Sequence, residues 1–217
     1  MRRAGKALRA FILSEGPLVP FLSLALVILA GLALWLFFAT RPPGEDSAEA
    51  GFARDMIVHH AQAVEMAEIV RGKTESEDVG TLAPDIALTQ QAQIGMMQGW
   101  LQVWGLLPTG SEPAMSWMGE PTNAPMPGMA TPQDIQKLRD ASPEEADVLF
   151  LQLMIPHHRA ALRMSEAILS RTERPEVQSL AKAISASQRS EIKNMEQMLR
   201  DRGASLPEEP EMDMENM

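Results

Sequence analysis

Two patterns of hydrophobic positions divide this chain. From Pro17 to Thr40 no residue is charged, in the run PLVPFLSLALVILAGLALWLFFAT. About 20 apolar residues are enough to cross a bilayer, so one transmembrane helix is expected over residues 17–40. Beyond it, apolar residues recur in steps of three and four, the spacing of a helix with one buried face. Positions 52, 56, 59, 63, 66 and 70 spell Phe, Met, His, Ala, Met, Val. Positions 150, 154, 157, 161, 164 and 168 spell Phe, Met, His, Ala, Met, Ile. A second such face runs through 83, 87, 90, 94, 97 and 101 (Ala, Ala, Gln, Ile, Met, Leu), and again through 181, 185, 188, 192, 195 and 199 (Ala, Ser, Gln, Ile, Met, Leu).

These pairs of faces are one pattern repeated. Displaced by 98 positions, the chain matches itself without a gap from Phe52 on Phe150 to Gly105 on Gly203. Each repeat, 50–105 and 148–203, reads as two helices. Two helical hairpins in tandem predict a four-helix bundle with a pseudo-two-fold axis, so the expected fold is all-α. Gly105 and Gly203 suit helix C-caps. Ser142-Pro143-Glu144-Glu145 is a capping box with Pro at the first helical position, and Thr131-Pro132-Gln133-Asp134 opens a short helix in the same way. Pro156, where the first repeat has Val58, should kink its helix beside His157.

The expected organisation is a cytoplasmic segment (1–16), the membrane helix (17–40), a linker (41–49), the duplicated domain (50–203) and an acidic tail (204–217). Within the domain, residues 107–130 form a Pro- and Gly-rich linker without helical period. It carries Met115, Met118, Met126 and Met129, which we expect to be exposed.

Charge sets the orientation. Arg2, Arg3, Lys6 and Arg9 precede the apolar run and GEDSAE follows it, so the positive-inside rule places the N-terminus in the cytoplasm and everything after Arg41 outside. A cleaved signal peptide competes with this reading. Its apolar core is 7–15 residues and ends in a small-residue site, neither of which fits here, so we expect a single-pass protein of the cell membrane. Of the 19 basic and 29 acidic residues, four and one lie in the first 40. The remainder therefore carries 13 more negative than positive charges, which disfavours a nucleic-acid partner. With no Cys in the chain, disulfides and thiolate metal sites are excluded.

The chemistry rests on 16 Met and four His. Every histidine belongs to an HH pair, His59-His60 or His157-His158, at equivalent places in the two repeats. Met56 and Met66 share the helical face of His59; Met154 and Met164 share that of His157. Imidazole with thioether is a soft donor set that suits copper, Cu(I) in particular, better than ions that want oxygen. A thioether has no proton to lose, whereas histidine must be neutral to bind. A metal-free reading stands beside this one, with Met as core filler and His satisfied by hydrogen bonds. Flexible methionines of the linker and of the tail (Met212, Met214, Met217) are a second candidate means of capturing Cu(I). A ferritin-type di-iron site wants Glu-x-x-His, but Met56 and Met154 stand three residues before the seam histidines. Asp55, one turn from His59, could orient it as an outer carboxylate; the second repeat has Leu153 there. Asp147 likewise has no matched partner.

The segments DMIVHHAQAVEMAE and LMIPHHRAALRMSE, with MPGMATP before the second, resemble the bacterial domain-of-unknown-function family 305 over about residues 50–203. The resemblance implies a ferritin-like four-helix bundle outside the cytoplasm, in some members binding copper through Met and His. Carried over, its site residues are Met56, His59, His60, Met66, Met154, His157, His158 and Met164, with Met115, Met118, Met126 and Met129 of the linker. The expectation is thus a membrane-anchored copper-binding protein for sequestration or delivery, not an enzyme. The alternative is a metal-independent helical interaction module at the cell envelope. No protein partner is named by the sequence, and a homo-oligomer is left open.

Overall fold

The structure is a computed structural model that describes residues 18–39 and 41–208. The expected cytoplasmic segment and the tail methionines lie outside the described residues. Two compact units are present, residues 1–42 and 43–217. In the first, α1 (Leu18–Ala39) is a single helix long and apolar enough to cross a membrane. The second is built from α2 (Ala48–Arg71), α3 (Glu77–Trp104), α4 (Pro132–Asp140), α5 (Pro143–Leu169) and α6 (Pro175–Asp201). No strand occurs among the described residues, only an isolated bridge between Ala114 and Thr122.

Local chemistry sets the helix ends. Ser47 caps α2, its Oγ accepting from the Ala50 N–H at 3.2 Å. Thr131 with Asp134 and Ser142 with Glu145 form the two capping boxes that open α4 and α5. Gly105 ends α3 at φ +73°, a left-handed turn that costs a Cβ-bearing residue more than glycine. Gly203 follows α6 at φ +65°. α5 remains one helix through Pro156.

The bundle core has two apolar clusters. One joins Phe52, Ala53 and Met56 of α2 to Ala161, Met164 and Ile168 of α5, with Met97 and Leu101 of α3 and Ile184 of α6. The other joins Ala63, Met66 and Val70 of α2 to Phe150, Leu151 and Met154 of α5, with Ile86 of α3 and Met195 of α6. The start of α2 thus meets the end of α5 and the reverse, so the two run antiparallel and the duplication becomes a two-fold relation in space. Burying a Phe or Met side chain contributes about 1.5–3 kcal/mol, and each cluster holds three seam methionines and one phenylalanine.

The perimeter follows the same symmetry. Thr172 donates to Glu49 at 2.7 Å, and Ser76 donates to Asp147. Asp147 therefore has a matched partner after all: Glu49, 98 positions earlier, also ties the start of one hairpin to the turn of the other. Arg202 pairs with Asp78 at 2.7 Å, while Trp104, its equivalent in the first repeat, lies under the Arg174 guanidinium at 5.9 Å.

The linker departs from expectation. Met115 and Met126 are buried, and Met118 and Met129 are partly buried against the first cluster. Thioether chains are apolar enough that packing outweighs the freedom of an exposed loop. A short 3-10 turn, Ser116–Met118, interrupts the segment. Side chains of α2 hold it down. Arg54 donates to the Leu107 carbonyl at 2.9 Å. Gln62 bonds both the N–H and the carbonyl of Ala130, at 2.7 and 2.9 Å. Gly51 lacks the Cβ that would lie 2.6 Å from Trp117, whose ring meets Phe52 edge-on.

Candidate metal centre

Each of the four long helices crosses a polar layer between the two clusters. In α2 it is His59 and His60, in α3 Gln90 and Gln93, in α5 His157 and His158, in α6 Gln188 and Glu191. All four histidines are fully buried. Because α2 and α5 cross at the two-fold, the seam histidines meet there, with the His59 and His157 ring centroids 3.7 Å apart and the planes tilted by 35°. The flanking histidines turn to the second helix of their own hairpin. His60 Nε2 lies 2.8 Å from Gln93 Oε1, and His158 Nε2 lies 2.7 Å from Glu191 Oε2.

His59, His60 and His157 are held toward the neutral form. Burial lowers the His59 pKa to about 4, with the charges of His158 and Arg163 acting in the same direction. Burial and the neighbouring His59 lower His60 to about 3. His157 is likewise pushed well below its ordinary value, by burial first and then by the other three histidines. Burial raises the Glu191 carboxyl, but hydrogen bonds from His158 and Ser187 and the charge of His158 together outweigh it, so its pKa ends below the ordinary value.

Several buried polar atoms of this layer have no hydrogen-bond partner. They are Nδ1 of all four histidines, Nε2 of His157, both side-chain polar atoms of Gln90 and Oε1 of Gln188. His59 Nε2 has only the Pro127 carbonyl, at 3.4 Å. An orphaned buried polar group costs about 1–3 kcal/mol, so their concentration in one layer marks a place for a further ligand. The donors available are imidazole nitrogens, with Met56 and Met164 in the cluster on one side and Met66 and Met154 in that on the other. Among the described residues no three side chains of His, Cys, Asp or Glu converge as a metal site. Imidazole and thioether are soft donors, which suit a soft ion better than one that wants oxygen. The stacked pair sets a condition. One ion about 2 Å from a nitrogen of each ring would hold the centroids about 5 Å apart, so His59 and His157 must separate before they share an ion.

Of the residues singled out from the sequence, His59, His60, His157 and His158 come together in this layer. Met56, Met66, Met154 and Met164 divide between the flanking clusters. Met126 and Met115 join the Met56 cluster, and Met118 and Met129 pack on its edge. Asp55 does not orient His59. Its Oδ2 accepts from the Met115 N–H and from Trp117 Nε1, both at 2.8 Å, and burial raises its pKa despite them. An aspartate here anchors the linker, which the second repeat does not have to do. Gln93 and Glu191 were missed. They too lie 98 positions apart, but the difference between amide and acid hides the match.

A duplicated four-helix bundle with a buried layer of paired histidines between methionine-bearing clusters defines the class. The family model for the domain of unknown function DUF305 matches residues 49–199, and the chain belongs to that family. A DUF305 protein from Streptomyces coelicolor is 46% identical, with a TM-score of 0.72, over 76% of this chain and 100% of its own. CopM, solved with Cu(I), is 29% identical, with a TM-score of 0.54, over 72% of this chain and 97% of its own; it has also been solved with Cu(II) and with Ag. Among curated proteins, the uncharacterized protein L153 of Acanthamoeba polyphaga mimivirus is 43% identical over 56 residues, 26% of this chain and only 37% of that relative.

Proposed function

We propose that this chain binds copper outside the cytoplasm while tethered to the membrane by α1, and that it sequesters or delivers the ion without catalysing a reaction. The observation that carries this reading is the meeting of His59 and His157 at the two-fold, among orphaned nitrogens and between two methionine clusters. The likeness to CopM, which has been solved with Cu(I) and Cu(II), supports it. Basic residues before α1 and acidic ones after it support an extracytoplasmic domain, and the Streptomyces coelicolor relative carries the name of a secreted protein.

In this reading the ion is cargo. Neutral imidazoles and thioethers bind it, the bundle keeps water away, and parting of the stacked rings admits it. The test is an anaerobic titration of the full chain in detergent with Cu(I) against a chromogenic competitor. Wild type should compete. Replacement of all four histidines by Gln should abolish most of the competition, and Leu at Met115, Met118, Met126 and Met129 should weaken it less. If the Leu variant loses binding and the Gln variant, still helical by circular dichroism, keeps it, the site is in the linker. A wild type that takes no Cu(I) sinks the proposal and returns the metal-independent interaction module.

A further inference from the structure

The two halves of the histidine layer are equivalent in position but not in chemistry. His60 and His158 occupy the same place in their repeats, and so do Gln93 and Glu191, the groups that face them. A carboxamide can accept through its oxygen or, turned over, donate through its nitrogen. Gln93 therefore accommodates His60 with the proton on either ring nitrogen. An ionised carboxylate can only accept, so Glu191 requires the proton of His158 to be on Nε2. Ser187 donates to the other Glu191 oxygen at 2.8 Å, which fixes the carboxylate in place. The residue equivalent to Ser187 is Thr89, which is exposed.

With Nε2–H committed to Glu191, Nδ1 is the nitrogen of His158 left to bind a metal. That atom is buried and has no hydrogen-bond partner. In metal sites, a histidine whose second nitrogen donates to a carboxylate is both pre-oriented and a stronger donor, and loss of such an outer partner typically costs ten- to a hundredfold in affinity.

We propose that Glu191 is a positioning residue that presets His158 to bind metal through Nδ1, so that the second repeat takes the first ion and the first repeat, with Gln93, follows. This rests on the copper reading above. It makes a duplicated site sequential: one half arrives organised, and the other is organised by occupancy.

The test swaps the outer groups in the full chain in detergent. E191Q should raise the dissociation constant of the tightest Cu(I) ten- to a hundredfold. Q93E should tighten the first-repeat half, and the double variant Q93E/E191Q should recover most of the wild-type affinity with the preference reversed. Four histidines give only eight ring nitrogens, so 15N-histidine NMR of the metal-free protein reads each tautomer directly. His158 should be wholly Nε2–H in wild type and mixed in E191Q, with the fixed tautomer moving to His60 in the double variant. A purely structural role would change melting temperature and leave this signature where it was. E191Q that binds Cu(I) like wild type, or a His158 tautomer unchanged by the swap, overturns the inference while the copper reading stands. A wild type that takes no Cu(I) removes both, and is told apart because no variant then has an affinity to lose.

Discussion

The two repeats are nearly the same protein on the inside and different proteins on the outside. Phe52 and Phe150, Met56 and Met154, Met66 and Met164, Met97 and Met195 are pairwise identical and buried. Beyond Asp85 the exposed side of α3 is uncharged. No charged residue occurs between Asp85 and Glu112, and Leu88, Met96 and Val103 stand 73%, 50% and 84% exposed. The corresponding stretch of α6 shows Arg189, Lys193, Arg200 and Asp201 to solvent. Close packing holds an interior to its shape, whereas an outer face answers to solvent and neighbours. The duplicated core therefore preserves the symmetry, and the surfaces and the layer of outer polar groups break it.

Acid should break the comparison hardest. An unfolded histidine takes up a proton near pH 6.5, and the folded His59 and His60 resist until about 4 and about 3. Between those values the unfolded state binds more protons, so stability falls as pH falls and is fully present only above about 6.5. Each such histidine should cost the metal-free protein about 2 kcal/mol by pH 5. Urea midpoints from pH 7.5 to 4.5 measure this. His60→Gln, which keeps a polar partner for Gln93 and removes the proton site, should flatten the slope by one histidine's share. A flat profile would mean that the buried rings are not held neutral.

The interior itself should behave symmetrically. Phe52→Ala and Phe150→Ala each remove a fully buried ring and should each cost about 3–5 kcal/mol. Equal losses by urea denaturation, within about 1 kcal/mol, would confirm that the clusters are equivalent. A much larger loss at Phe52 would show that Trp117, which only that ring touches edge-on, adds a share of its own.

The linker is where the first repeat does work the second does not. Asp55→Leu gives the first repeat the residue of the second and leaves the Met115 N–H and Trp117 Nε1 without their acceptor, at a cost of about 1–3 kcal/mol. Limited proteolysis should then cut within residues 107–130 at protease levels that spare wild type. Gly128→Ala should act likewise. Its φ is +77°, and the new Cβ would lie 2.5 Å from the Pro156 carbonyl oxygen.

Much of this was legible beforehand because the relevant signals are local or repeated. Helical spacing, the two capping boxes and the match at a displacement of 98 positions marked out the helices and placed His59 and His157 on inner faces. What escaped depends on partners distant in sequence. Nothing near Asp55 announces that its acceptor oxygen serves residues 60 and 62 positions away, and a Pro-rich segment with four methionines reads as exposed until its thioethers find a core. Gln93 and Glu191 escaped for another reason. A match by identity sees only what the repeats keep, and the outer groups of the layer are where they diverge.

The smallest expected effect concerns the outer face of α3. Polar and charged residues there, as in Met96→Asn, Gly95→Lys and Val103→Asp, which copy the α6 residues onto it, break no buried contact and should change stability by no more than about 0.5 kcal/mol each. Gly95→Lys should even stabilise slightly, because Gly costs a helix interior about 1 kcal/mol and a Cβ there meets open space. Melting temperature measured on the full chain checks this. Losses above about 1 kcal/mol would mean that the uncharged face is already covered in the protein as purified, and that the contrast between α3 and α6 is one of contacts and not of solvent exposure.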